Sequence, residues 1–252
     1  MVGEDTVRRV IPILKYVFVG MIVALYLGGC SWFKRGPGEE KEDVPATLMK
    51  LGTEYFEKGE YARATAAFQK LKDRYPYSEY AAIAELRLAD GHYKIREFED
   101  AYAGYDEFER LHPKNENIPY VIFQKGMCNF QQISTVDRDQ TFTLKAKEEF
   151  ERLIRRFPGD PYANRARKNL RSCLISLAEY ELYVAHFYFK KGEYRSAMNR
   201  YTYLIQNYPD MGQYKEALAY IRKCKEKLSQ EKPSEEEGRG EKRSLLRKIW
   251  PF

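Results

Sequence analysis

Four stretches of this chain repeat one another, and that constrains the fold more than anything else in it. They end at Pro76, Pro113, Pro158 and Pro209, each proline preceded by an aromatic residue or histidine. In three of them a small residue is followed at fixed offsets by an aromatic, an alanine, a second aromatic and the proline. The sets are Gly52, Tyr55, Ala64, Phe68 and Pro76; Ala89, His92, Ala101, Tyr105 and Pro113; and Ala185, Tyr188, Ala197, Tyr201 and Pro209. Small residues let two helices approach, aromatics fill the gap to the next pair, and proline stops the second helix. One such hairpin cannot bury its own apolar face, so neighbours must stack. The expectation is an all-α, right-handed α-solenoid of four to five helical hairpins.

This spacing resembles the tetratricopeptide repeat. The third unit keeps its second helix (Ala146, Phe150, Leu153, Pro158), but too many residues separate Gly126 from Ala146, which predicts an inserted loop over Ile133 to Gln140. The interval from Pro158 to Pro209 is also too long for one unit. Leu170, Leu174, Leu177, Tyr180 and Val184 recur there at helical spacing, with no breaker from Tyr162 to Lys191, which predicts one long central helix. A fifth hairpin starts with Tyr214 to Leu228 and lacks its second helix.

The amino terminus belongs to a different kind of segment. Arg8, Arg9 and Lys15 precede an apolar run from Tyr16 to Tyr26, followed by Leu27-Gly28-Gly29-Cys30. The run is too short for a spanning helix, which needs about 20 residues, and the layout is that of a secretory signal. The Leu-Gly-Gly-Cys box resembles the bacterial lipoprotein signal. That resemblance implies cleavage before Cys30, lipidation of Cys30 and, with Ser31 next, sorting to the outer membrane. The expected organisation is a signal over 1–29, a tether over 30–45, a solenoid over 46–228 and a charged tail over 229–252. In the tail, Leu245, Leu246 and Ile249 beside Arg247 and Lys248 fit either an interfacial or docking helix or a polar extension with stray apolar residues.

Composition removes several classes. With 43 Lys+Arg against 37 Asp+Glu and 44% hydrophobic residues, the chain is no polytopic membrane protein, and its dilute excess of positive charge makes no nucleic-acid footprint. Cys128, Cys173 and Cys224 are too few and too widely spaced for a disulfide framework and read as small buried hydrophobes, one pairing staying open. His92, His112 and His186 lie in different units, with no carboxylate or cysteine at ligand spacing. No nucleophile, metal or phosphate-loop motif occurs. The expectation is therefore no enzyme, no metal and no cofactor.

Several longer stretches resemble the BamD family of outer-membrane lipoproteins. They are RYPYSEYA (Arg74–Ala81), LHPKNENIPYVIFQKGMCN (Leu111–Asn129), DRDQT (Asp137–Thr141) and the run from Tyr180 to Asp210. The likeness covers about Pro45 to Leu228. It implies a non-catalytic scaffold of the machinery that inserts β-barrels. The carboxyl-terminal repeats would contact the barrel insertase, with Arg200 in that contact, and the amino-terminal repeats would receive unfolded outer-membrane proteins. Repeat spacing places Met49, Thr53, Phe56, Asp90, Tyr93 and Lys94 along a substrate-peptide groove. Phe56 and Tyr93 fit equally well as packing residues. The single-helix fifth hairpin departs from the family. A pilotin that carries a secretin to the outer membrane is the alternative, and it would need neither the DRDQT loop nor the long helix.

Overall fold

The computed structural model describes residues 44–230, and every regular element among them is helical. In chain order these are α1 (Pro45–Glu57), α2 (Tyr61–Arg74), α3 (Ala81–Lys94), α4 (Phe98–Leu111), α5 (Ile118–Phe130), α6 (Thr141–Arg156), α7 (Pro161–Lys190) and α8 (Tyr194–Asn207). A further helix, α9, covers residues 214–230. Consecutive helices from α1 to α8 pack on one another, and α5 also touches α7. Among the described residues this is four stacked hairpins followed by one further helix. Cys30, the signal, most of the tether and nearly all of the tail lie outside the described residues. The first helix begins at Pro45, the last position assigned to the tether, because proline is well suited to the first helical turn.

The expected long helix is present over 30 residues, one position earlier than the apolar spacing suggested. Asp160 sets its start: the carboxylate accepts from the Tyr162 backbone N–H at 2.7 Å, and Pro161 occupies the first turn. The expected inserted loop runs between α5 and α6. Gln140, buried at its end, donates to the carbonyls of Thr135 and Arg138 and so ties the loop shut.

Chain termination is repeated with little variation. The residues before the four prolines, Tyr75, His112, Phe157 and Tyr208, take φ of −134°, −124°, −136° and −134°. Proline disfavours the helical region for its predecessor, so the helix stops there. Within hairpins, the first helix ends in a turn in which a left-handed residue lets two backbone N–H groups fold back. Gly59 (φ 77°) and Gly192 (φ 81°) suit that conformation; Arg96 (φ 68°) occupies it in the second hairpin. The Glu60, Glu97 and Glu193 N–H groups donate to the carbonyls of Tyr55, His92 and Tyr188 at 2.9, 3.0 and 3.0 Å. An L side chain in this region costs about 1–2 kcal/mol. We therefore expect Arg96→Gly to raise stability by about 0.5–1 kcal/mol after glycine's own entropy is counted, read as a higher urea midpoint at unchanged slope; a lower midpoint would show that Arg96 is held by its contact with Phe98 (5.6 Å).

Packing follows the repeat. Ala64, Ala101, Ala146 and Ala197 are fully buried, as are Phe68, Tyr105, Phe150 and Tyr201. The long helix belongs to two cores. Ala163, Ala166 and Cys173 join the core built by α3 to α6, whereas Ala185 joins the core of α8 and α9. One rigid rod thus ties the two ends together. The three cysteines are unpaired and buried, which settles the open pairing, and burial pushes the thiols of Cys128 and Cys173 up to about 12. No described helix is long and apolar enough to cross a membrane.

Candidate functional site

The first helices of the hairpins present a connected row of aromatic and charged side chains. Phe56 on α1 lies 5.8 Å from the Arg87 guanidinium on α3. One turn further, Asp90 joins Arg87 at 3.4 Å and accepts from the hydroxyls of Tyr105 (2.7 Å) and Tyr120 (2.5 Å). Gln124 donates to the same two hydroxyls at 3.3 and 3.2 Å. Tyr120 meets Tyr162 of α7 edge-on at 5.3 Å, and Arg165 covers the rings of Phe123 and Tyr162. The row therefore runs from α1 to α7.

Along it opens a cleft of about 440 Å³, with Leu86 and Phe108 as floor and Arg87, Asp90, Asn117 and Tyr162 among its walls. Asp90 is only 5% exposed. Burial drives its pKa upward, against the two tyrosine hydroxyls and Arg87, which stabilise the carboxylate. Burial and the neighbouring Asp90 likewise raise Tyr105 and Tyr120, so both stay hydroxyl donors. The arrangement is suited to binding: an apolar floor, a cation beside an aromatic ring and fixed polar groups. It contains no nucleophile paired with a base.

The six groove positions read from the repeat end up in different surroundings. Asp90 lines the cleft, and Phe56 stands next to Arg87 while also meeting Tyr61 edge-on at 5.1 Å. Met49 packs on the first hairpin's core, and the Thr53 hydroxyl donates to the Met49 carbonyl at 2.8 Å. Tyr93 packs on the central core and against Phe98 at 5.5 Å; Lys94 is exposed. Arg87, Tyr120 and Tyr162 were not anticipated. Arg87 stands three residues before Asp90 on one helix face, so spacing alone was enough to find it. Tyr120 and Tyr162 stand on α5 and α7, and only the stacking of those helices brings them to Asp90 and to each other.

Arg200, on α8, donates to both Glu181 oxygens at 3.1 and 3.4 Å. Glu181 is buried, whereas the Arg200 side chain is 44% exposed, so the guanidinium is held in place with a face left open. Beside it, His186 Nδ1 pairs with the Tyr201 hydroxyl at 2.7 Å and Nε2 with Glu216 at 3.1 Å, linking α7, α8 and α9. One expectation about the histidines needs correcting. His92 Nδ1 lies 2.6 Å from Glu97 Oε2, and with Asp100 the three possible ligand atoms lie within 4.8 Å of one another. The α3–α4 turn folds back, so residues five and eight apart meet, and His92 and Glu97 are hydrogen-bond partners across that turn.

Residues 41–239 match the profile of the family described as YfiO, outer membrane lipoprotein. Two relatives named outer membrane protein assembly factor BamD come from Rickettsia prowazekii and Caulobacter vibrioides. The first is 31% identical, covering 79% of this chain and 78% of that protein; the second is 28% identical, covering 79% of this chain. The chain spans 65% of the Caulobacter protein's length. A solved tetratricopeptide protein of Thermus thermophilus is 15% identical, covers 71% of this chain and 99% of that one, and superposes with a TM-score of 0.40. With the profile running through all the described hairpins, the chain belongs to the YfiO family of outer membrane lipoproteins.

Proposed function

We propose that this chain is a non-catalytic lipoprotein scaffold of outer-membrane β-barrel assembly, held at the periplasmic face of the outer membrane by acyl chains on Cys30. The observation that carries the reading is a family match extending over the whole solenoid, together with relatives named as assembly factors. The cleft beside Phe56 and Arg87 supports a role for the amino-terminal hairpins in holding extended segments of unfolded barrel proteins. Met49, Thr53, Asp90, Tyr93 and Lys94 extend that groove in this reading. Arg200, held by Glu181 with part of its guanidinium exposed, supports a contact between the fourth hairpin and an insertase bearing periplasmic domains. The long helix would then keep substrate site and insertase site at a fixed separation. No cofactor, metal or nucleic acid enters this scheme.

Depletion in the native bacterium tests it. Porin levels in the outer membrane should fall while a secretin, if present, still reaches it. Unchanged porins with a mislocalised secretin would instead identify a pilotin. Within the same system, Arg200→Ala should lower co-purification of the insertase by about five- to tenfold, as expected of an interfacial arginine, without changing the helical circular dichroism; undiminished recovery removes Arg200 from the interface.

A further inference from the structure

Glu181 is a carboxylate in a place where carboxylates are costly: it lies on α7, 8% exposed, and a buried charge needs a partner. Its partner is Arg200 on α8, and the manner of pairing matters. Both carboxylate oxygens accept from the same nitrogen, Nη1, at 3.1 and 3.4 Å. Arginine carries five N–H donors in one rigid plane. The Nε and Nη2 donors of Arg200 meet no acceptor among the described residues. Gripping one terminal nitrogen from below fixes the plane and leaves its other edge open. On the same face of α8, three residues on, stands Tyr203, a large ring 46% exposed. Its ring meets that of Tyr208 edge-on at 6.3 Å, and Tyr208, 8% exposed, packs on Leu177 and Ala178 of α7. Burial pushes the Tyr208 hydroxyl up to about 12, with Tyr203 and Glu181 close enough to add to the rise. An oriented arginine and an exposed tyrosine thus stand side by side, each backed by a buried group.

We propose that Tyr203 is a second anchor of the insertase contact beside Arg200, and that Glu181 is the positioning residue that aims Arg200 for it. This rests on the reading of the fourth hairpin as the insertase side. The partner surface that fits is a pair of oxygen acceptors, spaced to take Nε and Nη2 together, next to an apolar patch for the Tyr203 ring. Arginine and tyrosine are the side chains that most often carry binding energy at the centre of an interface. Holding one of them in its bound geometry lowers the ordering cost of association. Lysine could still neutralise Glu181, but a single ammonium has no second edge to offer. The pair therefore serves direction as well as charge.

Recovery of the insertase with the full chain from detergent-solubilised outer membranes tests this, alongside urea midpoints of the same variants. Tyr203→Ala and Glu181→Gln should each lower recovery by about threefold or more. Arg200→Lys should lower it by about fivefold while keeping the urea midpoint, because the ion pair survives and only the open edge is lost. Glu181→Gln combined with Arg200→Ala should recover as much insertase as Arg200→Ala alone, since a residue that acts only through Arg200 has nothing further to remove. A merely structural Glu181 would instead add its own loss to that of Arg200→Ala, and that outcome overturns the positioning role. Full recovery with Glu181→Gln or Arg200→Lys, while Arg200→Ala loses the insertase, also overturns it and leaves the insertase contact itself standing. Full recovery with Tyr203→Ala removes the second anchor. Undiminished recovery with Arg200→Ala overturns the contact and this proposal together.

Discussion

Replacing Glu109 by alanine should destabilise the chain by about 1–3 kcal/mol, the cost of removing a partly buried acceptor on which charged donors converge. Glu109 on α4 accepts from Arg152 at 2.6 and 2.9 Å, from Arg156 at 3.0 Å and from Lys125 at 3.3 Å. Its side chain is 14% exposed and that of Lys125 only 5%. Alanine would remove the carboxylate that Lys125 shares with Arg152 and Arg156; Lys125, 5% exposed, would keep Asp106 and Glu149, and Arg152 would keep Glu149. Urea unfolding should show a midpoint shift to match, and a loss below about 1 kcal/mol would mean that the cluster rehydrates freely. Lys125→Met is the informative partner, because Glu109 keeps both arginines and the exposed Asp106 returns to water; its cost should be well under half as large.

The same cluster sets a pH dependence. Burial works to raise the Glu109 pKa, but Arg152 and Lys125 outweigh it and hold the group below the ordinary 4.5. A depressed folded-state pKa means stability is complete above the unfolded value and is lost as pH falls through the folded one. The wild-type chain should therefore weaken on acidification below about 4.5, and Glu109→Gln should flatten that part of the profile.

The second large effect is expected at Gly126. A β-carbon there would lie 2.5 Å from the Phe150 ring, which is fully buried between Phe123 and Phe130. Overpacking of this kind costs typically about 1–3 kcal/mol, more than the gain from alanine's better helix propensity. We expect Gly126→Ala to lower stability by about 2 kcal/mol, and Phe150→Leu in the same chain to recover part of that loss. Lack of recovery would place the strain in the backbone. The first hairpin repeats the arrangement: a β-carbon on Gly52 would lie 2.5 Å from the Phe68 ring. The second and fourth hairpins pair alanine with tyrosine: Ala89 with Tyr105, and Ala185 with Tyr201. Those tyrosines reach Asp90 and His186 with their hydroxyls. Since each hairpin touches only its neighbours, a defect at Gly126 should loosen the central core and leave the α8–α9 end less affected.

Much of this was legible because a repeat states its own geometry several times. Prolines fixed the helix ends, small residues fixed the close approaches, and unbroken apolar spacing after Pro161 revealed the long helix within one residue. The candidate site was less legible. Tyr93 and Asp90 occupy consecutive turns of one helix face, yet Tyr93 packs on the core and Asp90 forms the centre of a polar network. What separates them is which residue of the next hairpin stands opposite, and no spacing rule within a single helix contains that information.

By itself the sequence determined helix number and length, hairpin pairing and the stops between them, because backbone sterics and local apolar periodicity act over a few residues. Only the tertiary structure decided that Lys125, Arg152 and Glu109 form one partly buried cluster, that His92 meets Glu97 across a turn, and that Phe56, Arg87, Tyr120 and Tyr162 share a face. Charges and rings on separate helices acquire partners only when stacking sets the rotation of each hairpin on the next. That rotation comes from side-chain volumes meeting across interfaces, a property of pairs of helices and of neither one alone.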